Sequence, residues 1–173
     1  MKDMGNASYI LGIKIYRDRS RKLIGLSQSL YVDKVLGTFQ MEHSKNGFLP
    51  VKYGIHLFKS MSPKTPEVVI QMSRIPYASA IRSLMYAMLC TSPDISYAVS
   101  ITSIYQSDLG YEHWSSVKTV LKYLRRTKDM FLVYGGIPEL LVEGYTDSDF
   151  ESDVDQKSTS GYVFTLNGGA ISC

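Results

Sequence analysis

Cysteine is nearly missing from this sequence: Cys90 and Cys173 are its only two among 173 residues. One lies inside an apolar helical pattern and the other at the last position, so neither a disulfide framework nor a thiolate metal site has support. Long hydrophobic runs are missing too, with no stretch of about eighteen apolar residues. The opening "MKDMGNASYILGIKIYRDRS" has a short apolar patch, interrupted by Gly12, Lys14 and Arg17, that does not read as a signal peptide. A soluble, intracellular chain in cytoplasm or nucleus, with no membrane partner, is the expectation, and the Asn6-Ala7-Ser8 sequon is then a glycosylation signal by letter only. The three histidines, His43, His56 and His113, are scattered and no Gly-x-Ser-x-Gly occurs. The Gly pairs at 135–136 and 168–169 have no phosphate-loop lysine, so hydrolase triads and nucleotide loops find no footing. There is no internal repeat and no low-complexity tract.

What is present is a large apolar content, 45% of residues, enough to bury a substantial core, and an uneven distribution of charge. The formal net charge of +3 conceals 18 Lys+Arg against 9 Asp+Glu in residues 1–137, and one against seven in residues 138–173. A basic body can follow a phosphate backbone, whereas the acidic end repels one unless a divalent cation intervenes.

Along the chain, 8–16 ("SYILGIKIY") and 22–27 ("KLIGLS") predict the two strands of a hairpin around "RDRSR". A helix over 28–40 follows, with Tyr31, Val35, Leu36 and Phe39 on one face and Ser27 or Ser29 as its N-cap. Residues 43–66 hold three prolines and two glycines without a period, which predicts a connection wrapped on the surface or mobile. Three helices come next. The first carries the stripe Tyr77, Ala80, Ile81, Leu84, Met85 and Met88. The second opens at Ser92-Pro93-Asp94, with Ser92 as N-cap. The third, "YEHWSSVKTVLKYLRRT", places Trp114, Val117, Leu121 and Leu124 on a core seam. Lys118, Lys122, Arg125 and Arg126 lie about a third of a turn round from it. "MFLVYGG" reads as a strand, and a β-region then runs through Asp147 to "GYVFTLNGGAIS", where Asn167-Gly168 predicts a type I′ hairpin turn. The fold class expected is α+β.

These residues resemble the C-terminal part of a copia-type retrotransposon Pol polyprotein, nearly end to end. "MKDMGNASYILGIKI" resembles the hairpin that holds the primer strand in a reverse transcriptase, and "GLSQSLYVDKVLGTFQM" the thumb helix after it. "PYASAIRSLMYAMLCTSPDISYAVS" with "EHWSSVKTVLKYLRRTKD" resembles a helical connector, and "GYTDSDFESDVDQKSTSGYVFTLNGGAIS" the first strands of ribonuclease H. The resemblance implies three segments, 1–66, 67–130 and 131–173, the last an incomplete ribonuclease H-like antiparallel sheet. The family has Gly where Arg82 stands, Arg where Ser92 stands and Trp where Cys173 stands. If position 82 faced another helix, its guanidinium would be buried at high cost.

Both family activities use divalent metal, Mg2+, held by several carboxylates. The Tyr-x-Asp-Asp turn of the polymerase is absent: "LYVDKV" imitates part of it, but Asp33 sits in a helical pattern and Lys34 replaces the second Asp. By the Tyr-Thr-Asp-Ser pattern, Asp147 matches the first ribonuclease H carboxylate, a metal ligand only if others are supplied. Asp149, Glu151, Asp153 and Asp155 imitate a calcium loop in part, without its Gly at the sixth position or Glu at the twelfth, so a solvated acidic loop is the default. The first Met matches an internal Met of the family motif, so the chain is expected to be truncated at both ends and catalytically inactive, with no cofactor of its own.

Its expected ability is weak, sequence-independent binding of RNA, DNA or an RNA-DNA hybrid through Lys118, Lys122, Arg125 and Arg126, helped by basic residues between Lys2 and Lys22. One alternative is a part of an active RNA-directed DNA polymerase and ribonuclease H, completed by carboxylates from outside this chain. Another is a co-opted, effector-like interaction module whose open hairpin edge, around Val163 and Phe164, pairs with a protein partner.

Overall fold

The computed structural model describes residues 5–54, 56–136, 139–149 and 159–172. Among these, five α-helices and two antiparallel sheets make an α+β fold. The chain divides into two compact units: Gln28–Met130, and Met1–Ser27 together with Phe131–Cys173.

The unit Gln28–Met130 is helical. It contains α1 (Ser29–Thr38), α2 (Pro66–Ser73), α3 (Tyr77–Cys90), α4 (Ser96–Ser103) and α5 (Tyr111–Thr127). Apolar residues three and four apart put one face of each long helix inward. Val32, Val35 and Leu36 of α1 and its C-cap residue Phe39 meet Tyr77, Ala80, Ile81, Leu84 and Ala87 of α3, Ala98 and Val99 of α4, and Val117, Val120, Leu121 and Leu124 of α5 in one core. The α3 stripe is rotated slightly from expectation, since Ala87 is buried while Met85 is exposed. Arg82 is exposed, with Nε donating to the Ala78 carbonyl at 3.3 Å, so its guanidinium is not buried among the described residues. The α1 cap also differs: Gln28, not Ser27 or Ser29, is the N-cap, without a side-chain bond to the first turn. At the other end Gln40 takes φ +55° and the Met41 amide donates to the Leu36 carbonyl at 2.8 Å, which satisfies an otherwise free carbonyl of the last turn.

Helix α2 falls in a stretch that carries no helical signal, because Val68, Val69 and Ile70 are consecutive and mask any period. Only Met72 of α2 is buried. The described residues between 43 and 66 are a surface wrap tied down at several points: the Gly47 amide donates to the Lys122 carbonyl at 2.9 Å, the Tyr105 hydroxyl to the Leu57 carbonyl at 2.7 Å and Ser62 Oγ to the Asp108 carbonyl at 2.9 Å.

The other unit is built of strands. Residues 8–16 form two strands rather than one, β1 (Tyr9–Ile10) and β2 (Ile13–Asp18), because Leu11 and Gly12 both take positive φ and turn the chain. β2 pairs with β3 (Leu23–Ser27), and β3 with β4 (Leu132–Gly135), in the order β1-β2-β3-β4. The strand expected at "MFLVYGG" thus completes the N-terminal sheet. Gly135 permits the register: a Cβ there would lie 1.9 Å from the Lys22 carbonyl oxygen. The second sheet has the order β5 (Val142–Asp149), β6 (Thr159–Leu166), β7 (Gly169–Ser172). Asn167 (φ +49°) and Gly168 (φ +80°) form the expected turn, and the Asn167 side chain accepts the Leu141 amide at 2.7 Å.

Candidate nucleic-acid interface

Helix α5 is placed by its N-terminal turn. Gly110, the extended N-cap, lies so close to Met61 that a Cβ would come 2.0 Å from its carbonyl oxygen. Fully buried His113 accepts the Gly110 amide on Nδ1 at 2.9 Å, which puts the ring proton on Nε2, 3.2 Å from the Phe58 carbonyl. Its ring stacks on Tyr105 with centroids 4.0 Å apart. Burial lowers the His113 pKa, against the opposing pull of the Phe58 carbonyl, Asp108 and Glu112. Arg125 and Arg126 in the last turn suit the negative end of the helix dipole.

With Val117, Val120, Leu121 and Leu124 turned inward, the 100° step per residue places Tyr111, Lys118, Lys122 and Arg126 in one stripe on the outer face. The four basic residues expected there have different surroundings. Arg125 Nη1 donates to the Ser44 carbonyl and to Asn46 Oδ1, so this guanidinium is engaged in holding residues 44–46. Arg126 lies over the Phe48 ring, 4.2 Å from its centroid, and Lys118 Nζ is 5.6 Å from the centroid of Tyr111. The Lys122 ammonium makes no hydrogen bond or ion pair among the described residues. Behind the stripe, Tyr123 donates to Asp94; burial first, and then this carboxylate, push its pKa up to about 12. Asp33, read as a solvent-facing helix residue, pairs with Lys128 at 2.7 Å and holds that ammonium's pKa above its ordinary value. Phe48 and Tyr111 were not among the expected site residues. Tyr111 is legible at two helical turns before Lys118, but nothing local marks Phe48, which a non-periodic wrap delivers.

The N-terminal basic residues are partly engaged: Arg17 donates to the Ala7 carbonyl at 3.0 Å and Arg19 to Asn6 Oδ1 at 3.2 Å. Lys2 lies outside the described residues.

Asp147 is exposed on β5, opposite Gly161 of β6. Among the described residues no three His, Cys, Asp or Glu come together as a metal site. A lone exposed carboxylate does not fit a pair of Mg2+ ions. The Asp149 side chain, Glu151, Asp153 and Asp155, and with them the calcium-loop pattern, lie outside the described residues. Val163 and Phe164 prove to be on β6, the central strand, so the sheet's edges are β5 and β7 instead. Among the described residues no strand pairs with the outer edge of β5. No helix among them is long and apolar enough to cross a membrane.

No protein-family model and no solved structure matches the chain. The chain is 46% identical over 173 residues to the retrovirus-related Pol polyprotein from transposon TNT 1-94 of Nicotiana tabacum, covering 99% of this chain and 13% of that protein. It is 41% identical over 102 residues to secreted RxLR effector protein 161 of Plasmopara viticola, covering 58% of this chain and 72% of that one. A putative transposon Ty5-1 protein of Saccharomyces cerevisiae is 30% identical over 172 residues, 99% of this chain and 54% of the yeast protein. The chain thus spans about an eighth of the tobacco polyprotein and about half of the yeast protein.

Proposed function

This chain belongs to the Pol polyproteins of copia-type retrotransposons, and from that premise we propose that it binds nucleic acid without sequence preference and catalyses neither DNA synthesis nor hybrid cleavage by itself. The binding rests on one observation, the outer stripe of α5, where Lys118, Lys122 and Arg126 lie in line and no carboxylate pairs with them among the described residues. Phosphates attracted there would displace condensed counterions, so affinity should depend on salt rather than on base sequence. In this reading residues up to about 66 correspond to the end of a reverse transcriptase, and β5 to the first strand of a ribonuclease H with Asp147 as its first carboxylate. Catalysis with Mg2+ would then need carboxylates that the described residues do not bring together. The test is a titration of labelled oligonucleotides at rising salt: log affinity should fall with log salt, and Lys122→Ala should reduce the slope by about 0.7–0.9. An affinity indifferent to salt would count against the reading.

A second reading, pairing with a protein partner, is favoured by the outer edge of β5, with which no strand pairs among the described residues. Lysines introduced at Val142 and Tyr145 should then abolish capture of the partner, and unchanged capture would dismiss the edge as its site.

A further inference from the structure

The α5 stripe carries an exposed aromatic ring toward each end, Tyr111 at its start and Phe48 beside Arg126. We propose that the stripe takes single-stranded nucleic acid, with bases stacking on Phe48 and Tyr111 while Lys118, Lys122 and Arg126 follow the phosphates. The inference rests on the nucleic-acid reading and narrows its ligand.

Basic side chains alone do not distinguish a duplex from a single strand, because both present phosphates. Rings do, since a duplex hides its base faces and a single strand offers them. Phe48 is 72% exposed and Tyr111 64% exposed, although each has a cation over one face. Exposure of that extent leaves each residue with accessible surface that the cation does not cover. The cation also steadies the ring, which lowers the ordering cost when a base arrives. Phe48 is held further by its neighbour Gly47, whose amide donates to the Lys122 carbonyl and whose place a larger residue could not take, since a Cβ would fall 2.9 Å from the Tyr123 amide nitrogen. The wrap thus lies directly against α5 and presents Phe48 at the stripe. Tyr53, in the same wrap and fully exposed, has no cation over it among the described residues. From Tyr111 to Arg126 the helix advances about 22 Å, room for several nucleotides between the two platforms.

The experiment uses the whole chain and three labelled probes: a thymidine 15-mer, an abasic strand of equal length and charge, and a 15-base-pair duplex, followed by fluorescence anisotropy. The thymidine strand should bind at least about fivefold more tightly than the abasic strand or the duplex. Phe48→Ala and Tyr111→Ala should each weaken it by about fivefold or more, and Phe48→Trp should preserve it. Abasic binding, the salt slope, Trp114 emission and the urea midpoint should not move in these variants. If the abasic strand binds as tightly as thymidine, or both alanine variants are silent while salt-dependent binding persists, the stacking inference falls and the nucleic-acid reading stands. If no probe binds even at low salt, the reading itself falls and the inference with it.

Discussion

His113 cannot take up a proton without losing a bond it now makes, because Nδ1 accepts from Gly110 and protonation would make it a donor. Its pKa is lowered in the folded chain, chiefly by burial, so on acidification the unfolded chain binds the proton first. The associated stability is complete above the unfolded value of about 6.5 and is lost as pH falls through the lowered folded pKa. Urea midpoints measured from pH 7.5 to pH 5 should therefore decline, and less steeply in His113→Gln; parallel curves would show that other groups set the acid limit. Leu84 offers a simpler expectation. Fully buried, its replacement by Ala should cost about 2–5 kcal/mol in urea unfolding, the cavity adding to the lost transfer energy. Lys122 differs from Leu84 in being only partly buried and in having an ammonium that makes no hydrogen bond or ion pair among the described residues, and Lys122→Ala should leave the same midpoint within about 0.5 kcal/mol.

At the scale of elements, the long helices were legible because their apolar spacing survives translation into packing: Val35, Leu36, Ile81, Leu84, Val117, Leu121 and Leu124 are all inside. Helix α2 was not, since three consecutive apolar residues suit a strand or a helix equally. The turn that divides residues 8–16 was hidden because Leu11 is an unusual residue for positive φ. The Asn167-Gly168 turn was visible from two letters, as its dihedral angles demand them. The basic half of the stripe was readable from helical phase, whereas its Phe48 half depends on contacts between the wrap and α5 that no local pattern encodes. The end of α1 yields a further prediction. Gln40 occupies a left-handed position that glycine adopts without steric penalty, so Gln40→Gly should stabilise the chain by about 0.5–1 kcal/mol, seen as a higher urea midpoint. Gly110→Ala should lower that midpoint, because the new methyl would collide with Met61.

At the scale of the whole molecule, every buried residue of the helical core lies between positions 28 and 130. A chain of residues 28–130 alone should therefore unfold cooperatively by Trp114 fluorescence, that ring being packed beside Phe39 and Tyr77. A featureless titration would show that the helices need the strands. The β5-β6-β7 sheet has a different balance, with Val142, Tyr162 and Phe164 sharing one face and all exposed. Such a face should bind an apolar dye, and Tyr162→Thr with Phe164→Thr should reduce that signal.

The pairing of β3 with β4 also has a consequence in time. The two strands are adjacent in the sheet but about a hundred residues apart in the sequence. A ribosome adding about 5–20 residues per second would deliver β3 roughly 5–20 s before its neighbour. During that interval the nascent sheet would expose an open backbone edge while the helices condensed. Slower translation would lengthen the exposure, making the early sheet a natural client for a chaperone that shelters extended chain.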